Sequence, residues 1–232
     1  MKGAVVYLWR NMMNESIWVN YHKHTSLSNR YMKDSPLLPV DYWNELKERY
    51  GNEPCIYTTV EHGWAGNYFK QYDDLEKYNK KNCTNIRWIY GVEAYWVKDR
   101  HESDRSNCHI VLLARTDKGR KAINKILSIA NKDGYYARPR IDLELIDQLP
   151  IDDVMITTAC IAFWNKYNDI GDIVKCLVQK FPHFYLEVQA HNTPEQKELN
   201  RRIIQISEGL NVPIIAGCDL SLIHISEPTR RS

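Results

Sequence analysis

Short apolar runs alternate along this chain with stretches in which apolar residues recur every three or four positions. The short runs are typical of buried β-strands, and the longer spacing is typical of amphipathic helices. The runs predict strands at residues 17–21, 55–60, 86–93, 109–114, 154–158, 185–188 and 213–217. The longer spacing predicts helices at residues 39–50, 64–79, 116–131, 141–148, 171–181 and 194–210.

The alternation of strands and helices favours an α/β fold built from βαβ units with a mainly parallel sheet. In such sheets, binding sites form at the carboxyl ends of the strands. Side chains with binding chemistry should therefore gather where the predicted strands stop.

Side chains that can bind metals lie at or just after the ends of six of the seven predicted strands. They are His22 and His24, Glu61 and His62, Glu93, Cys160, the weaker candidates Glu187 and His191, and Asp219. The remaining strand is an exception, because its histidine, His109, lies at its start. His22 and His24 are two residues apart, so both imidazoles point to the same side of an extended segment.

Each of these residues has a simpler explanation when it is taken alone. A histidine beside a strand is more often structural, a glutamate there is usually solvated, and Cys160 would be a small buried hydrophobe. The repetition at successive strand ends is what favours a metal site. Histidine nitrogens with carboxylates suit Zn²⁺, Mn²⁺ or Fe, and more ligands than one ion needs indicate several ions. A common task of such sites is the hydrolysis of phosphate esters.

The composition limits the partners of the chain without naming a function. Its 232 residues, 44% of them hydrophobic, suit one large domain or two small ones. The net charge of +2 gives no strong electrostatic case for nucleic acid or a membrane surface. No apolar run approaches the ~20 residues that cross a bilayer. Six cysteines without a CxxC pair indicate reduced thiols and a cytoplasmic location.

The motifs "HKH", "EHG", "GVEAYW", "CHIVLLA" and "GCD" occur in this order, and together they resemble the PHP domain of polymerases and histidinol phosphatases. Two longer stretches, "NCHIVLLARTDKGRKAINKILSIANKDGYYARPRIDLELI" and "FYLEVQAHNTPEQKELNRRIIQISEGLNVPIIAGCD", are similar to the branch found in bacterial DNA polymerase III alpha subunits. The segments "NYHKHTSLSN", "EHGWAGNYF" and "ACIAFW" resemble the corresponding sequences of phage-encoded PHP domains. The resemblance covers residues 17–219.

This resemblance implies a distorted (βα)7 barrel with two or three divalent metal ions (Zn, Mn or Fe) at the carboxyl ends of its strands. Carried over position by position, it implies the ligands His22, His24, Asp34, Glu61, His62, Glu93, His109, Cys160 and Asp219. Asp34 stands for the additional acidic ligand that follows the opening HxH pair. Glu61 stands where an aspartate is commoner.

The resemblance also implies a closing D-x-H pair, but Ser221 stands where its histidine is expected. The stretch "LSLIHISEPTR" resembles a translated sequencing-library adapter. We therefore expect residues 220–232 to be a non-native tail, following a PHP-type domain at 17–219 that is truncated at its C-terminal end. Residues 1–16 would be an N-terminal extension. The alternative is a natural polar tail. A missing ligand would weaken metal binding in this fragment.

For function, the resemblance implies the N-terminal PHP domain of a bacterial or phage DNA polymerase III alpha subunit. The parent would be a DNA-directed DNA polymerase, a nucleotidyltransferase, whose PHP domain is a metal-dependent phosphoesterase or 3′–5′ exonuclease. Its partners would be a DNA 3′ end, the rest of the polymerase chain, and a proofreading or clamp subunit, with no membrane. Two alternatives stay open: a free-standing PHP phosphatase for small phosphate esters, and a non-catalytic module that supports the polymerase.

Two arginines are candidates for binding the phosphates of such a substrate. Arg138 and Arg140 lie in the "RPRID" turn, which the resemblance places near the mouth of the barrel. Arginine side chains supply much of the contact that proteins make with nucleic-acid backbones.

Overall fold

The computed structural model describes residues 19–30, 35–106 and 108–219. The strands in these ranges are β1 (Pro54–His62), β2 (Asn85–Trp96), β3 (Cys108–Ala114), β4 (Tyr135–Tyr136), β5 (Arg138–Ile141), β6 (Val154–Thr157), β7 (Phe184–Gln189) and β8 (Ile214–Gly217). The α-helices are α1 (Pro39–Tyr50), α2 (Tyr68–Asn82), α3 (Asp117–Lys132), α4 (Leu143–Ile146), α5 (Ile161–Trp164), α6 (Ile170–Lys180) and α7 (Pro194–Leu210). A 3₁₀ helix, Ser26–Arg30, precedes α1. Asp34, Ser221 and the expected terminal segments at 1–16 and 220–232 lie outside the described residues.

The strands form one curled sheet in the order β4-β5-β2-β3-β6-β7-β8, with β1 also paired to β2. This mixed α/β arrangement confirms the predicted fold class. The pairs β1–β2, β6–β7 and β7–β8 are parallel, as predicted. The expectation is wrong for β3, which runs antiparallel to both β2 and β6. Parallel neighbours need a long crossover, usually a helix, and no helix is found in the described residues between β2 and β3.

The strand predicted at 17–21 is wrong for residues 19–21, which are irregular, and its first two residues lie outside the described ranges. This segment still has a defined place in the barrel. The Lys23 carbonyl accepts a hydrogen bond from the Val60 amide at 3.0 Å. The Asn20 side chain bonds the Cys218 carbonyl at 2.8 Å and the Cys218 amide at 3.2 Å. The segment therefore links β1 to the end of β8.

The structure also contains a small hairpin that the sequence pattern missed. Strands β4 and β5 pair antiparallel around Ala137, which adopts a positive φ of 61°. The predicted helix at 141–148 is correspondingly reduced to α4 (Leu143–Ile146). The pattern failed here because β5 is short, polar and contains Pro139, and its pairing depends on Tyr95 and Trp96 of the distant strand β2.

The helices owe their positions to capping residues and to apolar faces. Thr116 caps α3 by accepting a hydrogen bond from the Gly119 amide at 3.2 Å. Thr193 caps α7 in the same way, by accepting a hydrogen bond from the Gln196 amide at 3.2 Å.

Within the described ranges, no helix has both the length and the apolar character needed to cross a lipid bilayer.

The alternation of side chains along β2 separates the core from the site. Val92, Ala94 and Trp96 are buried in the main apolar core together with residues of α3, α6 and α7. Glu93 and Tyr95 point to the opposite face, because successive side chains of a strand alternate. That face of the sheet carries a smaller apolar cluster, which includes Val60, Val111, Leu113 and Met155. A charged side chain at position 93 is therefore directed into the barrel rather than toward the helices.

Candidate metal centre

The Glu93 carboxylate is fully buried and lies among four histidine rings. Glu93 Oε1 is 3.0 Å from His109 Nδ1 and 3.2 Å from His22 Nε2. Glu93 Oε2 is 2.9 Å from His62 Nδ1 and 3.3 Å from His24 Nε2. A carboxylate with ligand nitrogens on both oxygens has the chemistry to bridge two cations.

His22 is held in its orientation by a second buried carboxylate. His22 Nδ1 lies 2.7 Å from Glu187 Oε1, which leaves Nε2 directed at Glu93. Glu187 in turn accepts hydrogen bonds from the Tyr21 hydroxyl and, at 3.2 Å, from Thr157 Oγ1. Metal-binding histidines commonly use their other nitrogen in this way, which fixes the tautomer and raises the basicity of the ligand nitrogen.

His24 occupies the space between Glu93 and Asp219. Its Nε2 atom is 3.3 Å from Glu93 Oε2 and 3.4 Å from Asp219 Oδ1. Its Nδ1 atom is 3.1 Å from Ser28 Oγ, and its ring stacks on that of His62 with centroids 4.3 Å apart. His24 can therefore share a cation with either carboxylate.

The exceptional position of His109 is explained by the direction of β3. Because β3 runs antiparallel to β2, its first residues lie at the edge where β2 and β6 end, with His109 opposite Tyr95. Cys160, which follows β6, places its sulfur 3.5 Å from His109 Nδ1. His109, at the start of the antiparallel strand β3, therefore lies in the same site as the candidate ligands at the carboxyl ends of β2 and β6.

Ligand atoms converge in three overlapping groups, in each of which they lie within 4.8 Å of one another. The groups are His22, His24 and Asp219; His24, His62 and Glu93; and Glu93, His109 and Cys160. Several buried atoms of these groups have no hydrogen-bond partner among the residues that the structure describes: His22 Nε2, His24 Nε2, His109 Nε2, both Glu93 oxygens and Asp219 Oδ1. Buried polar atoms rarely lack a hydrogen bond. The donor set, and the absence of hydrogen bonds at these buried atoms, fit divalent cations.

Without a cation, the carboxylates of the cluster favour the protonated forms of His22 and His24. Burial alone would raise the pKa of Glu93, but the rings of His109 and His62 hold it well below the usual range. Burial alone would lower the pKa of His24, but its contacts with Asp219 and Glu93 raise it to about 10. The His24 contact likewise outweighs the burial of Asp219 and lowers the pKa of that carboxyl to about 2. The buried carboxylates Glu93 and Asp219 therefore stabilise positive charge in this site.

Glu61 lies apart from the three groups, although its neighbour His62 belongs to one. Adjacent residues of a strand point to opposite faces. The Glu61 carboxylate accepts hydrogen bonds from Thr25 Oγ1 at 2.7 Å and Ser28 Oγ at 2.5 Å. It thereby holds the segment that carries His24 against β1, a positioning contribution rather than a ligand contact. His191 belongs to none of the three groups formed by the described residues.

The two predicted phosphate-binding arginines have different environments. Arg140 is 3% exposed and donates to the carbonyls of Arg100, Glu102, Asp104 and Gly134 over 2.6 to 3.0 Å. The expectation that Arg140 contacts phosphate is therefore wrong, because its guanidinium holds the β2–β3 loop and the β4–β5 hairpin together. Arg138 is only partly buried, and its Nη1 atom donates to the Tyr95 hydroxyl at 2.9 Å.

Most residues of the described site lie within the range of a family match. A family model described as PHP domain matches residues 20–191. The chain belongs to the PHP domain family. The match includes seven of the eight described residues that the sequence analysis assigned as metal ligands, and it ends before Asp219.

Relatives of this PHP domain include subunits of replicative polymerases. The DNA polymerase III subunit alpha of Aquifex aeolicus is 31% identical over 89% of this chain and 18% of that protein. The subunit of the same name from Borreliella burgdorferi is 28% identical over 67% of this chain and 15% of that protein. The one from Thermus aquaticus is 24% identical over 87% and 17%. The chain spans less than a fifth of the length of these relatives.

Sequence reasoning ranked Glu187 too low among the residues of this PHP domain. The sequence analysis names it only as a weaker candidate. In the structure its carboxylate orients His22, is 1% exposed and also accepts from Gln189 Nε2 at 2.7 Å. The available signal was a charged residue inside an otherwise apolar strand, "FYLEVQ", the same signal that "YGVEAYW" gives for Glu93.

Proposed function

We propose that this PHP domain is the N-terminal domain of a DNA polymerase III alpha subunit and acts as a metal-dependent phosphoesterase at DNA 3′ ends. The single observation that supports it best is the buried Glu93 carboxylate, which has a histidine nitrogen within 3.3 Å on each of four sides. The similarity to polymerase III alpha subunits favours DNA over a small phosphate ester as the substrate.

Two or three divalent ions (Zn, Mn or Fe) would be held by the three overlapping groups. Glu93 belongs to two of the groups and His24 to two, so both can be shared between neighbouring ions. Bound there, the ions would lower the pKa of a water molecule and stabilise the charge on phosphate oxygens. Cys160 as a thiolate favours Zn or Fe at the group that it completes.

The protein side chains prepare this chemistry in three ways. Glu187 fixes the tautomer of His22, so that Nε2 is presented to the site. Glu61 anchors the segment that carries His24 through Thr25. Arg138, beside the Tyr95 hydroxyl at the edge of the site, supplies a positive charge for the phosphate that precedes the scissile bond.

The proposed partners follow from the assignment to the polymerase subunit. They are the 3′ end of DNA, the remainder of a polymerase chain with nucleotidyltransferase activity, and a proofreading or clamp subunit. The proposed location is the cytoplasm of a bacterium, with the gene carried either by that bacterium or by a phage.

The test measures metal content and 3′-end removal with the purified chain. We expect divalent metal by elemental analysis, and progressive shortening of 5′-labelled single-stranded DNA that is lost in Glu93→Gln. A Ser221→His variant tests the expected D-x-H pair, and should bind metal more tightly. Absence of metal from both the chain and its Ser221→His variant would contradict the proposal and favour a scaffold. Metal with hydrolysis of small esters alone would contradict it in favour of a phosphatase.

A further inference from the structure

A continuous groove runs over the surface beside the metal centre. It consists of two adjoining cavities of about 600 and 610 Å³, which share Arg30 and Asn131 in their walls. We call it the aromatic groove and define it by Arg30, Trp64, Phe69, Asn131, Tyr135 and Arg138. No acidic residue lines either cavity within the described part of the chain, whereas two arginines do.

The aromatic groove is physically connected to the metal centre. Arg138 lies over the ring of Tyr95, 4.9 Å from its centroid, as well as donating to its hydroxyl. The Tyr95 ring packs against His62 and His109, at centroid distances of 5.9 and 5.2 Å. Trp64 follows His62 by two residues and lines the other part of the groove. The groove therefore begins at the edge of the site.

The aromatic groove presents large apolar rings to solvent, which a soluble surface normally avoids in one patch. Phe69 is 73% exposed and Tyr135 is 54% exposed. The Arg30 guanidinium lies 5.5 Å from the centroid of Trp64, on the same lining. Exposed rings interleaved with arginines are the features that bind single-stranded nucleic acid, because bases stack on the rings while the cations attract the phosphates.

We propose that the aromatic groove binds the single-stranded DNA that precedes a 3′ end and leads that end into the metal centre. Bases stack on Trp64, Phe69 and Tyr135, and backbone phosphates meet Arg30 and Arg138. A duplex is disfavoured, because its bases are already stacked on one another and cannot pack on these rings. This inference rests on the proposed function, since it names how the substrate of that site is held.

The test measures binding separately from hydrolysis. A short fluorescein-labelled oligothymidylate with a phosphorothioate 3′ end is titrated with the full chain, and Kd is read by fluorescence anisotropy. We expect Tyr135→Ala to weaken binding about tenfold, the effect of losing one stacked base. Tyr72→Ala is the matched control, because Tyr72 is 45% exposed and lines neither cavity. Thermal melting checks that both variants are folded.

A second pair of variants tests the charge of the groove. Arg30→Gln should reduce the slope of log Kd against log salt by roughly 0.7, the value for one phosphate contact with a single strand. Arg201→Gln, on the exposed face of α7 and paired with Glu198, should leave that slope unchanged. The same oligonucleotide as a duplex should bind more weakly than the single strand.

The outcomes separate this inference from the proposed function. Unchanged Kd in both Tyr135→Ala and Arg30→Gln, or duplex binding as tight as single-strand binding, overturns the aromatic groove as the DNA site. Metal content and hydrolysis of bis(p-nitrophenyl) phosphate by the wild-type chain report the metal chemistry independently. A chain with no metal and no hydrolysis, yet with weaker binding in both groove variants, would overturn the proposed function and support the groove.

Discussion

His109 Nδ1 lies 3.0 Å from Glu93 Oε1, a contact between the first residues of one strand and the later residues of its antiparallel neighbour. This contact exists because β3 runs against β2. In a parallel pairing, the start of β3 would lie near the start of β2, far from Glu93. The direction of one strand therefore decides whether the cluster has its fourth histidine.

Glu93→Gln should lower metal affinity at least tenfold, with a corresponding loss of metal content after dialysis. The change keeps the size of the side chain but removes the charge from two of the three ligand groups. Elemental analysis and competition with a chelator measure the effect. Glu198→Gln is the control, because Glu198 is exposed on α7 and pairs with Arg201.

Retention of full metal content by Glu93→Gln would contradict the assignment of Glu93 as the shared ligand. It would mean that the ions bind through the group formed by His22, His24 and Asp219 alone. The number of ions per chain also distinguishes the two arrangements, because a site that shares Glu93 is expected to hold more than one ion, whereas the group of His22, His24 and Asp219 alone would hold one.

Gly217→Ala should lower metal affinity by roughly 10- to 100-fold, the range for disturbing a partner that orients a metal ligand. A Cβ atom at Gly217 would lie 2.2 Å from Glu187 Oε1, so the carboxylate that orients His22 must move. Gly209→Ala is the matched control. Nothing lies within 4 Å of a Cβ at Gly209 in helix α7, and alanine there should stabilise the protein by about 0.5–1 kcal/mol.

Two measurements check this prediction. Chelator competition gives the metal affinity, and urea denaturation gives the free energy of unfolding of each variant. Equal metal affinities of Gly217→Ala and the wild type would show that the orientation of His22 by Glu187 has no influence on metal binding.

Much of the candidate site could be predicted because its ligands are local features of single strands. The HxH spacing predicts that the two imidazoles point to the same side of an extended segment. A carboxylate in a buried strand, such as that of Glu93, predicts that cationic or hydrogen-bonding groups lie beside it. The sequence also predicts that Glu61 and His62, as neighbours in one strand, point to opposite faces. The motif resemblance nevertheless assigned both residues to the metal. The structure shows that only His62 faces Glu93.

The remaining features could not be read from local patterns, because they depend on pairing between distant residues. The direction of β3 and the irregular segment at 19–21 are set by neighbouring strands. The structural use of Arg140 depends on four carbonyls, three of them in a loop almost 40 residues upstream. A polar turn with two arginines gives no local sign that one of them is buried.

The metal-free chain should lose stability as the pH rises from 6.5 to 8. His24 has a pKa of about 10 in the folded state against an ordinary 6.5, so its contribution is complete below pH 6.5 and is lost as the pH rises toward 10. The slope should be on the order of 1 kcal/mol per pH unit. Burial lowers the pKa of Lys23 to about 8. Above that pH the unfolded chain binds more protons at Lys23 than the folded chain, so this residue makes the free energy of unfolding increase with pH.

Urea denaturation of the metal-free chain across this pH range measures the slope. His24→Gln should reduce the slope and leave the part that His22 contributes, since contacts with Glu187 and Glu93 outweigh burial and raise the pKa of His22 as well. His101→Gln, in an exposed loop, should leave the slope as in the wild type. Metal binding displaces the same protons, so metal affinity should rise over the same range. A stability that is constant from pH 6.5 to 8 would mean that His24 is neutral in the metal-free fold.

Arg140→Met should destabilise the chain by roughly 3 kcal/mol or more, because a charged donor with several hydrogen bonds is removed and its acceptors lose their partner. The carbonyls concerned are those of Arg100, Glu102, Asp104 and Gly134. Urea denaturation measures the free energy of unfolding. Arg201→Met, at an exposed position, should change it by no more than about 0.5 kcal/mol. A small effect of Arg140→Met on stability, combined with weaker DNA binding, would restore Arg140 as a phosphate contact and contradict the structural role assigned to it.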